Sequence, residues 1–269
     1  MSLFRISLPA CLNAETIAAV QRNLHQVEDD ASLRLVLLEG TTDVFCRGLD
    51  PNLFTLENEM QAGAVRPAVE GFAALLRKIY FFPKPVLAEV TGEAIGGGLG
   101  LAAACDIVVA SDSALFGLPE MIFDIIPAMI TPILLQRMLP QKLRALCLCG
   151  HTIDAVEAKT LGLADFVVPG PQLPKRIRDL SRQLTRPKSD TISLWKHWLA
   201  DAATLSVADG ISRGTEIASA ILSRDEVKMN FRSFYLEGML PNTGSVPSHS
   251  PLTEEGDTND PRRSTGRCS

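Results

Sequence analysis

The sequence predicts an α/β fold with largely parallel strands, and two patterns predict it. Short apolar runs alternate with segments of helical periodicity along the first 168 residues. The turns between them concentrate glycine where a strand gives way to a helix.

The elements follow in order. "LFRISL" (3–8) alternates apolar and polar residues and reads as a strand. In "NAETIAAVQRNLHQVEDD" (13–30), Ile17, Val20, Leu24 and Val27 fall at helical spacing, which predicts an amphipathic helix. "LRLVLLEG" (33–40) is mostly apolar, as a central strand should be. "RPAVEGFAALLRKIYFF" (66–82) reads as a second helix, ended by "PKP". "VLAEVTG" (86–92) and "CDIVVAS" (105–111) are strands, with a helix starting near Gly97 between them. "PQKLRALCLCG" and "DAVEAKTLG" are further helices. The Pro/Gly-rich "VVPGPQLPK" (167–175) marks a boundary. The expected organisation is a core over 1–168, a helical region over 169–240 serving as lid or oligomer interface, and a tail over 241–269. That tail is polar and rich in Pro, Ser and Gly, a composition that cannot bury enough apolar surface to order itself.

Composition narrows the function. The chain has 269 residues, 46% of them hydrophobic, and a net charge of −5. That balance, with Lys and Arg scattered, does not suit a nucleic-acid surface. No run reaches the ~18 unbroken apolar residues of a membrane span. The N-terminus lacks the pattern of a signal peptide, so a cytoplasmic location is expected. The six cysteines include no CxxC pair and the four histidines are dispersed, so neither a metal site nor a redox cofactor is expected.

"GEAIGGGLGLAAACD" (92–106) poses the central question, because glycine is poor helix material and here it crowds a helix start. One reading is tight packing of helix on strand. The other is that free amides at the helix N-terminus hold an anion or a developing oxyanion, with no Cβ in the way. Phosphate-binding patterns fail: there is no GxxxxGK[ST], and no dinucleotide spacing with its distant acid. A second turn, "VFCRGLD" (44–50), follows an apolar strand, and Gly48 there lets the Leu49 amide turn into a cleft.

These pieces together resemble the crotonase superfamily, the enoyl-CoA hydratase/isomerase family. "VFCRGLD" matches its F-x-x-G-x-D turn. "PKPVLAEVTGEAIGGGLGLAAACDIVVAS" (83–111) matches its K-P-V-x-A-x-x-x-G-x-x-x-G-G-G segment. "ALFGLPEMIFDIIP" (114–127) matches its F-x-x-P-E segment, and "EAKTLGLADFVVP" (157–169) matches the element that follows. The resemblance spans about residues 5–235. It implies a crotonase-like spiral of ββα turns with a C-terminal helical region. It implies an oxyanion hole formed by the amides of Leu49 and Gly97, with Gly48, Gly96 and Gly98 lining the thioester. It also implies trimers or pairs of trimers, and no cofactor beyond the coenzyme A or phosphopantetheine that carries the acyl group.

The departures from the family pattern concern the acids. Hydratases carry one catalytic glutamate at the position of Gly100, which has no side chain, and another at the position of Glu120, which is present. The run "IIPAMITPILLQRM" (125–138) replaces the usual glycine-rich segment. With "FCRGLD" it resembles the 3-hydroxy-3-methylglutaryl dehydratases of polyketide β-branching, which act on acyl groups carried by an acyl carrier protein. By that resemblance Glu120 and Asp50 are the acid–base pair, Glu120 as base and Asp50 as acid or the reverse, and Arg47 is a candidate to pair with a substrate carboxylate or the pantetheine phosphate. Each residue also has a plain structural reading. Glu120 suits the first turn of a helix, Asp50 suits a turn or helix cap, Arg47 suits a solvated surface, and the 125–135 run suits the core. Isomerisation of a 3-enoyl thioester with Glu120 alone, decarboxylation of a glutaconyl thioester, and a non-catalytic subunit are the alternatives.

Overall fold

The computed structural model describes residues 3–54 and 65–237. Their contacts divide the chain into two units, Met1–Thr204 and Leu205–Ser269.

The first unit is built on two sheets. Strands β1 (Leu3–Ser7), β2 (Leu35–Glu39), β4 (Val86–Val90), β6 (Ile107–Ser111) and β9 (Phe166–Val168) form a five-stranded sheet in the order β1-β2-β4-β6-β9. Strands β3 (Val44–Cys46), β5 (Glu93–Ile95), β7 (Leu115–Gly117) and β8 (Thr152–Asp154) form a second sheet in the order β3-β5-β7-β8. All pairs are parallel except β7 with β8. Each repeat of the spiral gives one strand to the first sheet and the next strand to the second. After β3 and β5 the chain then enters a helix, α2 (Val65–Tyr80) and α3 (Gly97–Ala104). This matches the expected α/β fold of ββα turns.

Parallel strands buried on both faces read as continuous apolar runs, and the first sheet shows why. Val36, Leu38, Val86, Ala88, Val108 and Ala110 join one large core cluster with α1 (Ala14–Asp29) and α2. Leu35, Leu37, Leu87 and Val109 point the other way, onto Leu173, Ile177 and Leu180 of α7 (Leu173–Leu184). The alternation has a period of two residues, as a strand requires. Helix α1 starts on a capping box between Asn13 and Thr16. Its C-terminal carbonyls of Val27, Glu28 and Asp30 accept from the buried ammonium of Lys84.

The helical region expected from residue 169 divides between the two units. Helices α7 and α8 (Ser189–Ala202) lie in the first, α7 against the sheet and α8 through a Lys196–Asp106 ion pair of 2.8 Å. Helices α9 (Val207–Leu222) and α10 (Asp225–Glu237) lie in the second. Helix α7 packs Leu173, Ile177 and Leu180 onto one face of the parallel sheet. The tail expected over 241–269 lies outside the described residues.

Candidate functional site

The spiral brings the C-terminal ends of β3, β5 and β7 side by side, and the chain leaves each of them through a tight turn. The turn after β3 holds Gly48 at φ +83°. The turn after β5 holds Gly96 at φ +56°. Both are left-handed angles that side chains with a Cβ rarely adopt. After β7 the chain makes a 3-10 turn, Glu120–Phe123. So Leu49, Gly97 and Glu120, far apart in sequence, belong to neighbouring strand ends.

The glycines of "GGGLG" each meet a different neighbour. A Cβ on Gly96 would lie 3.1 Å from the Oε1 of Glu120, and one on Gly98 would lie 1.8 Å from the carbonyl oxygen of Cys46. A Cβ on Gly97 would lie 3.0 Å from the ring of Phe72 in α2. Gly48 faces this helix start too, because its Cβ would stand 2.8 Å from the Gly97 nitrogen. Packing and an open N-terminus are therefore both present, and the sequence alternatives are not exclusive. Gly48 and Leu12 are tied by a 2.8 Å backbone bond, and Asp50 N–H donates to Leu12 O at 2.8 Å. Among the described residues neither the Leu49 nor the Gly97 amide donates to an acceptor. Gly97 opens α3, where the first amides have no intrahelical partner.

Glu120 sits against this helix start, at Gly96. Its Oε2 is buried with no hydrogen-bond partner among the described residues. Burial raises its carboxyl above the ordinary value of 4.5, and a bond from its own amide works in the opposite direction with the smaller effect. The carboxylate in turn helps raise the Cys147 thiol on α5 (Pro140–Cys149), for which burial is the larger cause.

The other expected residues are engaged elsewhere. The Oδ1 of Asp50 accepts from the Asn52 amide and from Asn52 Nδ2, both at 2.9 Å. It thereby caps the 3-10 turn Pro51–Phe54, in keeping with its plain reading as a turn residue. Arg47 reaches Glu93 with Nε at 2.8 Å and Nη2 at 2.7 Å, a pair on an exposed surface.

Sequence reasoning did not single out Ile130. A Cβ on Gly100 would stand only 2.1 Å from Ile130 Cγ2. The 125–135 run turns out to serve two purposes. Ile130 and Leu134 are fully buried, while Met129, Pro132 and Ile133 line a cavity of about 360 Å³ shared with Leu76 and Tyr80 of α2. The available signal was the pairing of two unusual features, a missing side chain at 100 and a bulky apolar run at 125–135.

The model of the enoyl-CoA hydratase/isomerase family matches residues 5–242, and the chain belongs to that family. A Thermus thermophilus protein provisionally assigned as an enoyl-CoA hydratase is 27% identical over 226 residues, covering 83% of this chain and 88% of the relative. A Bacillus subtilis protein, YngF, provisionally assigned as an enoyl-CoA hydratase/isomerase, is 32% identical over 190 residues, 69% of this chain and 72% of its own. The crystal structure of an enoyl-CoA hydratase from Bacillus anthracis superposes with a TM-score of 0.78 at 26% identity, covering 89% of this chain and 94% of that one. Among the described residues no helix is long and apolar enough to cross a membrane.

Proposed function

We propose that this member of the enoyl-CoA hydratase/isomerase family removes a proton from the carbon beside an acyl-thioester carbonyl. Glu120 is the base, and the amides of Leu49 and Gly97 hold the resulting enolate. The observation that carries this reading is the Glu120 carboxylate, with one oxygen against Gly96, the other buried and unpartnered, and the Gly97 amide next along the chain. A desolvated carboxylate with a raised pKa is a stronger base than one in water and lies closer to neutrality. Two preset amides stabilise negative charge that develops on the carbonyl oxygen.

One placed carboxylate suits a reaction in which one group takes a proton and gives it back. Isomerisation of a 3-enoyl to a 2-enoyl thioester is such a reaction. The Cα–H bond breaks to Glu120, the double bond shifts, and Glu120 returns the proton to Cγ. The second reading is β-elimination of water from a 3-hydroxyacyl thioester, including a 3-hydroxy-3-methylglutaryl group on an acyl carrier protein. It needs an acid for the departing hydroxyl. Asp50 follows Leu49 directly, but it would first have to release Asn52. Arg47 would likewise have to leave Glu93 to meet a substrate anion. Coenzyme A and a carrier protein present the same pantetheine arm, so both suit the cleft. Self-association as trimers or hexamers is supported by the exposed Ile122, Phe123, Ile125 and Ile126 beside the site.

The experiment offers two substrates to the purified chain, a 3-enoyl-CoA and a carrier protein loaded with 3-hydroxy-3-methylglutaryl. Conjugated product from the first, absent with Glu120→Gln and retained with Asp50→Asn, supports isomerisation. Loss of one water from the second, absent with either variant, supports elimination. Turnover of either substrate by Glu120→Gln at the rate of the unaltered protein would end the reading.

A further inference from the structure

The segment from Glu120 to Ile130 lies along the first turn of α3 and touches it at two glycines. Glu120 stands against Gly96 and Ile130 against Gly100. These glycines are four residues apart, so they lie one above the other on one face of the helix. The wall facing that side thus begins with a carboxylate and ends with a branched alkyl group.

The apolar end is held in place. Ile130 is 3% exposed and belongs with Leu134 and Met138 to the main core cluster. The turn that carries it is closed by Thr131, whose amide and hydroxyl both donate to Pro127 O, at 3.0 and 2.8 Å. Ile130 O in turn accepts from Ile133 and Leu134, at 3.1 and 2.9 Å. Neither Gly100 nor Ile130 has a side-chain polar atom, and the contact leaves no gap for water. A water held next to a reacting carbon needs polar partners, and an apolar recess stays dry.

Resting on the reading of Glu120 as the base, we infer that Ile130 decides whether the acyl group is only isomerised or is also hydrated. Packed on Gly100, it keeps water and any second acid from the side of the acyl chain beyond Cα. The proton taken by Glu120 then returns to carbon, at Cα or Cγ, and the neutral 2-enoyl thioester that protonation at Cγ gives finds no water poised to add at Cβ. Ile130 is in this account a residue that sets reaction specificity.

The test compares two double variants of nearly equal volume. Gly100→Ala with Ile130→Ala refills the recess with carbon, since a Cβ on Gly100 falls close to the Ile130 side chain it replaces. Gly100→Ser with Ile130→Ala puts a hydroxyl there and gives a water a partner. Each protein, with Glu120→Gln beside it, receives a 3-enoyl-CoA, and the ratio of 3-hydroxyacyl to 2-enoyl product is measured. The alanine pair should keep the ratio of the unaltered protein, which also shows that the fold tolerates both changes. The serine pair should raise it on the order of tenfold, the scale on which one small group discriminates between outcomes in such a site. An unchanged ratio in a serine pair that still isomerises overturns the inference while leaving Glu120 as the base. Efficient hydration by the unaltered protein overturns it too. Isomerisation by Glu120→Gln at the rate of the unaltered protein instead overturns the Glu120 reading, and the inference falls with it.

Discussion

The five-stranded sheet and the four-stranded sheet alternate along the chain, yet they differ in build. Strands β1, β2, β4 and β6 each span five residues, and the interior ones are buried on both faces. Strands β3, β5, β7 and β8 span three residues each, and the turns that leave β3, β5 and β7 carry Gly48, Gly96 and Glu120. The long strands supply burial. The short ones aim backbone amides and one carboxylate at a common point. Burial tolerates sequence variation as long as volume and polarity are kept. Aim depends on particular angles and on the absence of particular atoms.

That division can be broken by experiment. Leu37→Ala removes a fully buried side chain from the sheet that carries no site residue. It should destabilise the protein by about 2–5 kcal/mol in denaturant titration, while turnover per folded molecule stays unchanged. A matching loss of turnover would mean that the two sheets are not separable.

Gly48→Ala should do the reverse. Its Cβ would stand 2.8 Å from the Gly97 nitrogen at a φ of +83°. Strain of about 1–3 kcal/mol is expected in stability, and a fall of about 10²–10³ in turnover as one amide is pushed out of line. Full activity in a folded Gly48→Ala protein would remove the oxyanion hole from the account.

The pH dependence sharpens the role of Glu120. Burial raises its folded-state pKa above 4.5, so between the two values the folded chain binds more protons than the unfolded one. Its contribution to stability therefore falls as pH rises from 4.5 through the folded value, then stays level. Glu120→Gln should remove that fall. Turnover should rise with pH through the same raised value, because the base acts ionised. A turnover profile already flat at the ordinary carboxylate value would contradict the assignment.

The smallest effect is expected at Arg47. Its pair with Glu93 is exposed on both sides, 50% and 36%, and such pairs are worth about 0–1 kcal/mol. Arg47→Gln should leave stability nearly unchanged. A raised KM with unaltered kcat would place Arg47 on the substrate rather than on Glu93 alone.

Legibility in the sequence followed the same division. Helix α1 and strands β2, β4 and β6 could be read directly, because continuous or periodic burial leaves a strong pattern. The three-residue strands of the second sheet could not, since so short a run has no period to detect. The crowding of glycines at 96–100 and the turn at Gly48 were visible, and so was Glu120 through its family motif. Their reasons were not visible, because each glycine answers to a partner distant in sequence: Glu120, Phe72, the Cys46 carbonyl and Ile130. Asp50 was expected as an acid from the motif, whereas its bonds to Asn52 depend on a local turn. Ile130 was passed over because only the fold sets it on Gly100.

Exchange of Cα protons tests the central claim most directly, because it needs only the base and the oxyanion hole. A saturated acyl-CoA, which can go no further, is incubated in deuterated water with the unaltered protein and with Glu120→Gln. The account predicts deuterium at Cα with the first and at least about 10²-fold less with the second. Equal exchange in both, or none in either, would contradict it.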